Sequence, residues 1–441
     1  MINYSGFLRP PLWLLILLAA LALLYWAWHL KHPLMMALRP VETPLLLGAG
    51  CLGLIHGWRL AIGSQSRRRG IVQSLLFAAL MLTTIAQEAR FQWQRARVLE
   101  AAPLLRVLGG HFLIGFSDYD SLAPLAERGL IGGIYLTRRN VAGRSLAEVR
   151  AEIDRLPPLR KAQGLPPLFV AADQEGGRVN HLSPLLPARP ALAQFAALKP
   201  AQRAAAAHAY GRQQGADLAA IGVNLNLGPV VDLKPARHGL WLDTHTLTHQ
   251  RAISGNAEIV RQIATTYIAG LQASGVQATL KHFPGLGPVQ GDTHHRAARL
   301  NLPRPRLARE WAPFEQISRQ TGSAIMVSHV HLDAIDAQQA ASRSRAVIEG
   351  TIRQQWNHQG LVLTDDLNMG AVYRDGIGRV AAASLNAGAD LILVTYDHDQ
   401  FYRALYDATQ AYRHGAIDER LLIASRQRLL AHWSRQSQSP P

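Results

Sequence analysis

The chain has 441 residues, a single cysteine and a formal net charge of +16 at neutral pH. The lone Cys51 excludes an intrachain disulfide framework and a cysteine-based metal site. The positive charge would suit nucleic acid, but the sequence has no arginine-rich tail, zinc-finger spacing or aromatic RNA-binding motif. We therefore expect no nucleic-acid partner, and we attribute the charge to membrane topology and to attraction by an anionic membrane or cell-wall polymer.

Three apolar runs occupy the first 90 residues, at about 11–28, 43–60 and 71–87. About 20 apolar residues span a bilayer, so the first two runs are long enough, while the third could instead be an interfacial amphipathic helix. A cleaved signal peptide is the alternative for the first run, but no small-residue cleavage site follows it. We predict that residues 1–100 are a membrane anchor with two or three transmembrane helices, whose partner is the lipid bilayer.

The arginines of this region give opposing topology signals. Arg67–Arg69 lie between the second and third runs and favour the cytoplasm, whereas Arg90, Arg95 and Arg97 follow the third run. With three spans, the first cluster places the large C-terminal region outside the cytoplasm. We predict an inner-membrane protein with its C-terminal region in the periplasm.

After about residue 106, short apolar runs alternate with longer stretches of helical periodicity. Near-continuous apolar runs are typical of strands covered on both faces. Eight such units in about 330 residues predict an α/β fold, a TIM (β/α)8 barrel. The alternative is an open doubly wound sheet, but no G-x-G-x-x-G follows the first strand. The predicted strands are 107–116, 131–137, 168–172, 223–231, 278–283, 324–331, 361–364 and 390–395.

Polar and ionisable residues cluster where these strands end. In a barrel the carboxyl ends of the strands share one face, and that face carries the active site. We therefore expect these groups from distant segments to converge on one pocket. They are Asp173, Asp232, Lys281–His282, Ser328–His331 and Thr364–Asp366.

Two of these segments carry side chains suited to acid–base and nucleophilic chemistry. Asp292 and His294 lie two residues apart in a loop rich in glycine and proline, where the carboxylate can orient the imidazole and raise its pKa. Thr364-Asp365-Asp366 ends a strand, and because strand neighbours alternate in direction, one aspartate should face the pocket. An ionised aspartate there can attack an anomeric carbon. The alternatives are a solvated loop and, for Asp366, a helix N-cap.

A histidine-based zinc site is a further alternative. His329 and His331 alternate along one strand, and His282 lies on the strand before it. No H-E-x-x-H spacing or other third-ligand pattern accompanies them. We expect packed histidines, and we expect neither a metal nor an organic cofactor.

The motifs together resemble glycoside hydrolase family 3, and within it the bacterial β-N-acetylglucosaminidases (β-hexosaminidases) of the NagZ type. The resemblance covers about residues 105–430 and rests on several segments that occur in the family's order. They are Gly132–Leu136 with Arg139-Asn140, Asp173–Val179, Gly228–Asp232, Lys281–Gly285, Asp292–His294, Gly360–Met369 and Ala387–Asp390.

This resemblance implies that residues 101–441 form a TIM-barrel catalytic domain that hydrolyses a terminal N-acetylglucosaminide with retention of configuration. Asp365 matches the family nucleophile, His294 the acid/base and Asp292 the partner of that histidine. The positions that match sugar-binding residues are Asp173, Arg251, Lys281 and His282.

Three features depart from the family pattern. Leu286 stands where the family usually has histidine between two glycines, and His181 stands where it has a sugar-binding arginine. The membrane segment is absent from the usual soluble enzyme, which suggests a peptidoglycan-related substrate. Two alternative functions stay open. A glycosyl phosphorylase would use phosphate as acceptor, because a neutral histidine acid/base repels anions less than a carboxylate does. An inactive membrane protein that binds sugar is suggested by Leu286 and His181.

Overall fold

A computed structural model describes residues 12–63, 67–100, 102–235, 246–289 and 297–438. The chain divides into two compact units, Met1–Arg97 and Val98–Pro441.

The described residues of the N-terminal unit form three α-helices, α1 (Leu12–Trp28), α2 (Glu42–Ile62) and α3 (Arg67–Leu99), with a short 3-10 helix at Pro33–Leu38. By length and composition α2 and α3 are candidates for membrane spans, while α1, at 17 residues, is a shorter apolar helix. The predicted third run lies inside α3, which is 33 residues long. Helices of this length and composition are candidates for membrane anchors or for a signal sequence.

Small residues allow α2 and α3 to pack closely. A side chain added at Gly57 would meet Ser74 on α3, and one added at Gly70 would meet the backbone of Ala61 on α2. Close backbone approach through glycine is typical of helix pairs in membranes, where dispersion rather than the hydrophobic effect drives association. The glycines of these two helices therefore determine how closely the pair can pack.

Buried charges at one end of these helices are paired, and we call this set the polar cluster (Lys31, Arg39, Glu42 and Glu88). Glu42 is 1% exposed, and its carboxylate accepts hydrogen bonds from Arg39 NH1 and from Trp26 Nε1, each at 2.9 Å. Lys31 Nζ lies 3.4 Å from Glu88 Oε2. Such pairing offsets the high cost of removing charged groups from water.

Eight parallel strands form a closed barrel in the second unit, which confirms the predicted fold. Around the barrel each strand pairs with the next barrel strand along the chain, and the last pairs with the first. The barrel strands are β1 (Phe112–Ile114), β2 (Gly133–Leu136), β3 (Phe169–Ala172), β6 (Leu225–Asn226), β7 (Gln277–Phe283), β9 (Ala324–Val327), β12 (Val362–Asp366) and β13 (Leu391–Val394). A hairpin of β4 (Gln174–Gly176) and β5 (Val179–Asn180) and a small sheet of β8 (Ala298–Leu300), β10 (Val330–Leu332) and β11 (Asp336–Ala340) follow barrel strands.

Helices alternate with the barrel strands. They are α4 (Pro103–Gly109), α5 (Ala123–Glu127), α6 (Arg138–Val141), α7 (Leu146–Asp154), α8 (Leu156–Ala162), α9 (Pro200–Ala220), α10 (Thr248–Arg251), α11 (Ala257–Gln272), α12 (Arg304–Thr321), α13 (Gly370–Tyr373), α14 (Ile377–Asn386), α15 (Asp399–Arg413) and α16 (Glu419–Gln438). Short 3-10 segments occur at Leu192–Ala197 and Ala341–Arg343, and a π-helical segment occupies Ala346–Gln355.

Each predicted strand overlaps a barrel strand, but three of the predictions extend well beyond the strand that the structure shows. Residues 107–109 belong to α4, because Pro103 fits the first helical turn. The prediction 223–231 contains only β6 and one isolated bridge from Val230 to Lys281, since Pro229 has no amide hydrogen to donate to a ladder. The prediction 324–331 divides into β9 and β10 around Ser328, whose amide bonds to Phe283.

Candidate active site

A pocket of about 490 Å³, partly open to solvent, lies at the carboxyl ends of the barrel strands. Its lining combines charged groups with a few apolar side chains. The lining residues are Tyr135, Asp173, Leu227, Thr246, Arg251, Lys281, His282, Leu286, Met326, Asp365, Asp366, Leu393 and Thr395.

One wall of the pocket is a network of two cations and two carboxylates. Lys281, at the end of β7, pairs with Asp173 after β3, and its Nζ lies 2.6 Å from Glu175 Oε1. Arg251 in α10 binds the same Glu175 through two parallel hydrogen bonds of 2.6 and 3.0 Å. Bidentate, charge-assisted contacts of this kind fix both partners in position.

The network holds its members in their charged forms. Burial raises the pKa of Glu175, but Arg251 and Lys281 lower it more, to about 2. Burial likewise opposes ionisation of Asp173, and Lys281 brings its pKa well below the usual range. The pKa of Lys281 is raised, because Asp173 and Glu175 outweigh its burial. Each group therefore carries a fixed charge at neutral pH, and three of the four, Asp173, Arg251 and Lys281, line the pocket.

A second network orients His282. Its Nδ1 lies 2.8 Å from Asp232 Oδ2, and its Nε2 lies 3.2 Å from Arg251 NH2. Because a guanidinium only donates hydrogen bonds, Nε2 must accept and the imidazole proton must sit on Nδ1, facing Asp232. Asp232 is fully buried and also accepts from the amides of His282 and Leu286. Asp232 thus determines the orientation of two pocket residues.

The two aspartates of β12 have different surroundings. Asp366 accepts five hydrogen bonds, two from Asn368, two from Thr395 and one from the amide of Tyr396. Asp365 Oδ1 accepts from the amide of Asp366 at 2.9 Å. Both line the pocket, because the pairing of β12 with β13 shifts in register before Asp366. The expectation that only one would face the pocket is wrong. Asp366 serves as a structural acceptor, and Asp365 is the candidate for reaction.

The strand histidines are packed as expected. His329 is completely buried between the Ser342 hydroxyl at 2.7 Å and the carbonyl of Asp366 at 3.0 Å, and burial lowers its pKa. Burial also lowers the pKa of the half-buried His331. Within the ranges that the structure describes, no three His, Cys, Asp or Glu side chains gather as a metal site would require.

Two of the three departures from the family pattern, His181 and Leu286, lie at or beside the pocket. His181 Nδ1 is 2.9 Å from the Tyr135 hydroxyl, and the same hydroxyl donates to Asp173 Oδ2 at 2.6 Å. His181 is thus linked through Tyr135 to the carboxylate that pairs with Lys281. Leu286 is 4% exposed and contributes apolar surface to the pocket.

Comparison with known proteins identifies the family. The sequence model of the glycosyl hydrolase family 3 N-terminal domain matches residues 112–431. The chain belongs to glycosyl hydrolase family 3. This confirms the resemblance inferred from the motifs and places the protein among the glycoside hydrolases.

Several curated relatives of this chain are named beta-hexosaminidase, among them two proteins from different bacteria. One, from Xanthomonas axonopodis pv. citri, is 34% identical over 276 residues, which are 60% of this chain and 77% of that protein. The other, from Pasteurella multocida, is 30% identical over 317 residues, which are 70% of this chain and 86% of that protein.

Solved structures agree with the family 3 fold. A β-N-acetylglucosaminidase from Paenibacillus aligns with a TM-score of 0.67 and 32% identity, over 75% of this chain and 62% of that longer chain. A β-N-acetylhexosaminidase from Beutenbergia cavernae aligns with a TM-score of 0.66 and 28% identity, over 75% of this chain and 98% of that chain.

The structure brings five of the seven predicted site residues to one pocket. They are Asp173, Arg251, Lys281, His282 and Asp365. The other two, Asp292 and His294, lie outside the described residues. Sequence reasoning did not assign site roles to Glu175, Tyr135 or Thr246, and it noted Asp232 only at a strand end. The available signal was the presence of Glu175, Tyr135 and Asp232 inside the motifs Asp173–Val179, Gly132–Leu136 and Gly228–Asp232.

Proposed function

We propose that this family 3 protein is a retaining exo-β-N-acetylglucosaminidase acting on terminal N-acetylglucosaminides. The observation that carries the proposal is the place of Asp365, which lines the same small pocket as the Lys281–Asp173 and Arg251–Glu175 pairs. Fixed charges opposite a carboxylate suit a ligand with several hydroxyls and an electrophilic carbon. The hexosaminidase names of relatives that match 77–86% of their own length support this substrate class.

In the proposed mechanism Asp365 attacks the anomeric carbon. The carbon–oxygen bond to the aglycone breaks, a glycosyl–aspartate ester forms, and the departing oxygen takes a proton from His294. His294 then removes a proton from water, which attacks the same carbon and releases Asp365 with overall retention. Each proton transfer contributes on the order of 10²–10⁴ in rate.

The proposed acid/base pair follows β7 in the sequence, outside the described residues. Leu286, three residues after β7, lines the pocket, and its amide donates a hydrogen bond to Asp232. Asp292 and His294 follow within eight residues, a length of chain that reaches up to about 26 Å when extended. The segment that carries both residues therefore begins at the pocket wall. Asp292 would fix the tautomer of His294, as Asp232 does for His282.

Lys281, Asp173, Arg251 and His282 are the proposed sugar-binding residues. The ammonium and carboxylate of the first two can bond hydroxyls of one sugar ring, and burial strengthens those bonds. Arg251 and His282 lie beside them on the same wall. No step of the proposed reaction needs a metal or an organic cofactor.

We further propose that residues 1–100 anchor the enzyme in the inner membrane and that residues 101–441 form the catalytic domain. Large apolar side chains on α2 and α3 are exposed, such as Leu52 at 72% and Leu82 at 69%. The rise from Arg69 to Glu88 along α3 is about 28 Å, close to the thickness of a bilayer core. These features suit helices that are surrounded by lipid.

Charge pairing supports a periplasmic catalytic domain. At the end of the helices near Glu88, the polar cluster contains two cations and two carboxylates that pair with each other. The other end carries Arg67, Arg68 and Arg69 in the first turn of α3, which has no acidic residue. Uncompensated arginines favour the cytoplasmic side. The end of α3 then lies in the periplasm, where peptidoglycan-related saccharides are the available substrates. A reporter fused to the C-terminus, active in one compartment only, tests this orientation.

The proposed activity is tested with a chromogenic aryl N-acetyl-β-glucosaminide and the purified full chain. Asp365→Asn should lower turnover by about 10⁴-fold or more, because the nucleophile is lost while the pocket keeps its shape. Asp154→Asn is a matched control at a surface ion pair with Arg150 and should retain full activity. Full activity of Asp365→Asn would refute the mechanism. Adding phosphate and measuring sugar 1-phosphate separates hydrolysis from phosphorolysis.

A further inference from the structure

We propose that the N-terminal helices contain a binding site for one anionic phospholipid. The site is a groove of about 1070 Å³, partly open, between α1, the second half of α2 and the first half of α3. We call it the arginine-end groove. It rests on the membrane placement proposed above, and the glycosidase reaction does not use it.

The walls of the arginine-end groove are apolar over most of their length. Leu17 on α1, Leu60 on α2, and Val72 and Leu76 on α3 face this space. Apolar surface of this extent favours a chain of methylene groups, each of which contributes to binding when it is buried. The groove therefore fits an acyl chain better than a polar ligand.

One end of the groove carries two guanidinium groups. Arg68 and Arg69 line it, and the Arg69 guanidinium lies 5.2 Å from the centre of the Trp13 ring. Neither arginine has a carboxylate partner in the described part of the N-terminal unit, where the acidic residues Glu42 and Glu88 belong to the polar cluster. Two uncompensated cations beside an apolar channel are complementary to a phosphate attached to an acyl chain. One guanidinium group can donate two parallel hydrogen bonds to two oxygens of a phosphate.

Other occupants fit this groove less well. Inorganic phosphate would satisfy the arginines but leave the apolar walls without a ligand. A second copy of the chain would bring its own Arg68 and Arg69 towards the same charges, and like charges in contact repel. An anionic phospholipid satisfies both ends of the groove, and basic pockets between membrane helices on the cytoplasmic side are known to bind such headgroups.

The test measures the phospholipid that the full chain retains after extraction into detergent from vesicles of equal phosphatidylglycerol and phosphatidylcholine. Native mass spectrometry should find one phosphatidylglycerol per chain. The double variant Arg68→Gln/Arg69→Gln should lower its retention by about 25-fold, since one basic group near an anionic surface contributes a factor of about five. The matched control, Arg59→Gln/Arg67→Gln, removes two charges at the same end without touching the groove lining.

A second pair of variants tests the apolar wall. Val72→Trp fills the groove, whereas Leu75→Trp adds the same side chain to an exposed position of α3 outside it. Only Val72→Trp should lower retention, and glycosidase activity should stay at the wild-type level in every variant. Equal losses in the two double variants, equal retention of phosphatidylcholine, or a lipid-free dimer would each overturn the proposal. If the wild-type chain is extracted without detergent, the membrane placement itself is wrong.

Discussion

Lys281 and Glu175 form an ion pair of 2.6 Å in which both side chains are almost fully buried, at 3% and 5% exposure. Glu175 simultaneously binds Arg251, and Lys281 simultaneously binds Asp173. The four groups compensate one another's charge, and each of their side chains is at most 20% exposed. Removal of any one leaves a buried charge without its partner, and that imbalance costs more than the pair itself contributes.

The first prediction concerns Glu175→Gln. The variant keeps the shape of the side chain but leaves Lys281 and Arg251 with one carboxylate fewer. We expect a loss of about 3 kcal/mol in the free energy of unfolding, together with a higher KM. Chemical unfolding and steady-state kinetics measure the two effects. Glu315→Gln is the control, because its surface pair with Arg319 should contribute at most about 0.5 kcal/mol. Equal stability of both variants would contradict the assigned role of Glu175.

The barrel and most of its site were predictable from sequence for a physical reason. Strands covered on both faces are continuous apolar runs, and polar residues that directly follow them, such as Asp173 and Asp365, have to lie at one rim. The role of Glu175 could not be predicted, because its partner Arg251 lies in the short helix α10 and not at the end of a strand, so the strand pattern gives no sign of the contact. The five donors to Asp366 likewise depend on how β12 and β13 shift in register.

The second prediction concerns acid stability. The pKa of Glu175 is lowered from 4.5 to about 2 in the folded protein. A lowered carboxylate pKa stabilises the fold above the unfolded value, and the contribution is lost as pH falls through the folded value. The melting temperature of the wild type should therefore decrease as the pH is lowered from about 4.5 to 2. The Glu175→Gln variant should have a lower melting temperature than the wild type at neutral pH, but its melting temperature should decrease less over that pH range. Parallel curves for the two proteins would exclude this linkage.

The third prediction concerns Asp232→Asn. An amide has one acceptor oxygen, whereas Asp232 accepts from the amides of His282 and Leu286 and from the His282 ring. The amide nitrogen of the variant would face another donor, and His282 would lose the tautomer that lets its Nε2 accept from Arg251. We expect kcat/KM to fall about 10–100-fold, the usual effect of losing a residue that orients a functional histidine.

The protonation pattern of the His282 imidazole distinguishes a loss of ring orientation from a loss of the fold. Nitrogen-15 shifts of His282 should change from the Nδ1-protonated to the Nε2-protonated pattern in Asp232→Asn, while the melting temperature shows that the barrel is retained. The control is Asp333→Asn, which weakens a partly exposed pair with Arg299 in the small sheet. An unchanged His282 tautomer in an inactive, folded Asp232→Asn would contradict the mechanism of this loss.

The last prediction concerns the packing of α2 on α3. A Cβ added at Gly70 on α3 would collide with the backbone of Ala61 on α2. A Cβ added at Gly48, which is on α2, would meet no atom within 4 Å. Gly70→Ala should therefore force the helices apart, while Gly48→Ala should be neutral or stabilise α2 by up to about 1 kcal/mol through helix propensity. Trypsin cleavage of the vesicle-embedded protein within residues 1–97 should be faster in Gly70→Ala only, with glycosidase activity unchanged in both variants. Equal protection of the two variants would show that the packing of α2 on α3 does not depend on contact at Gly70.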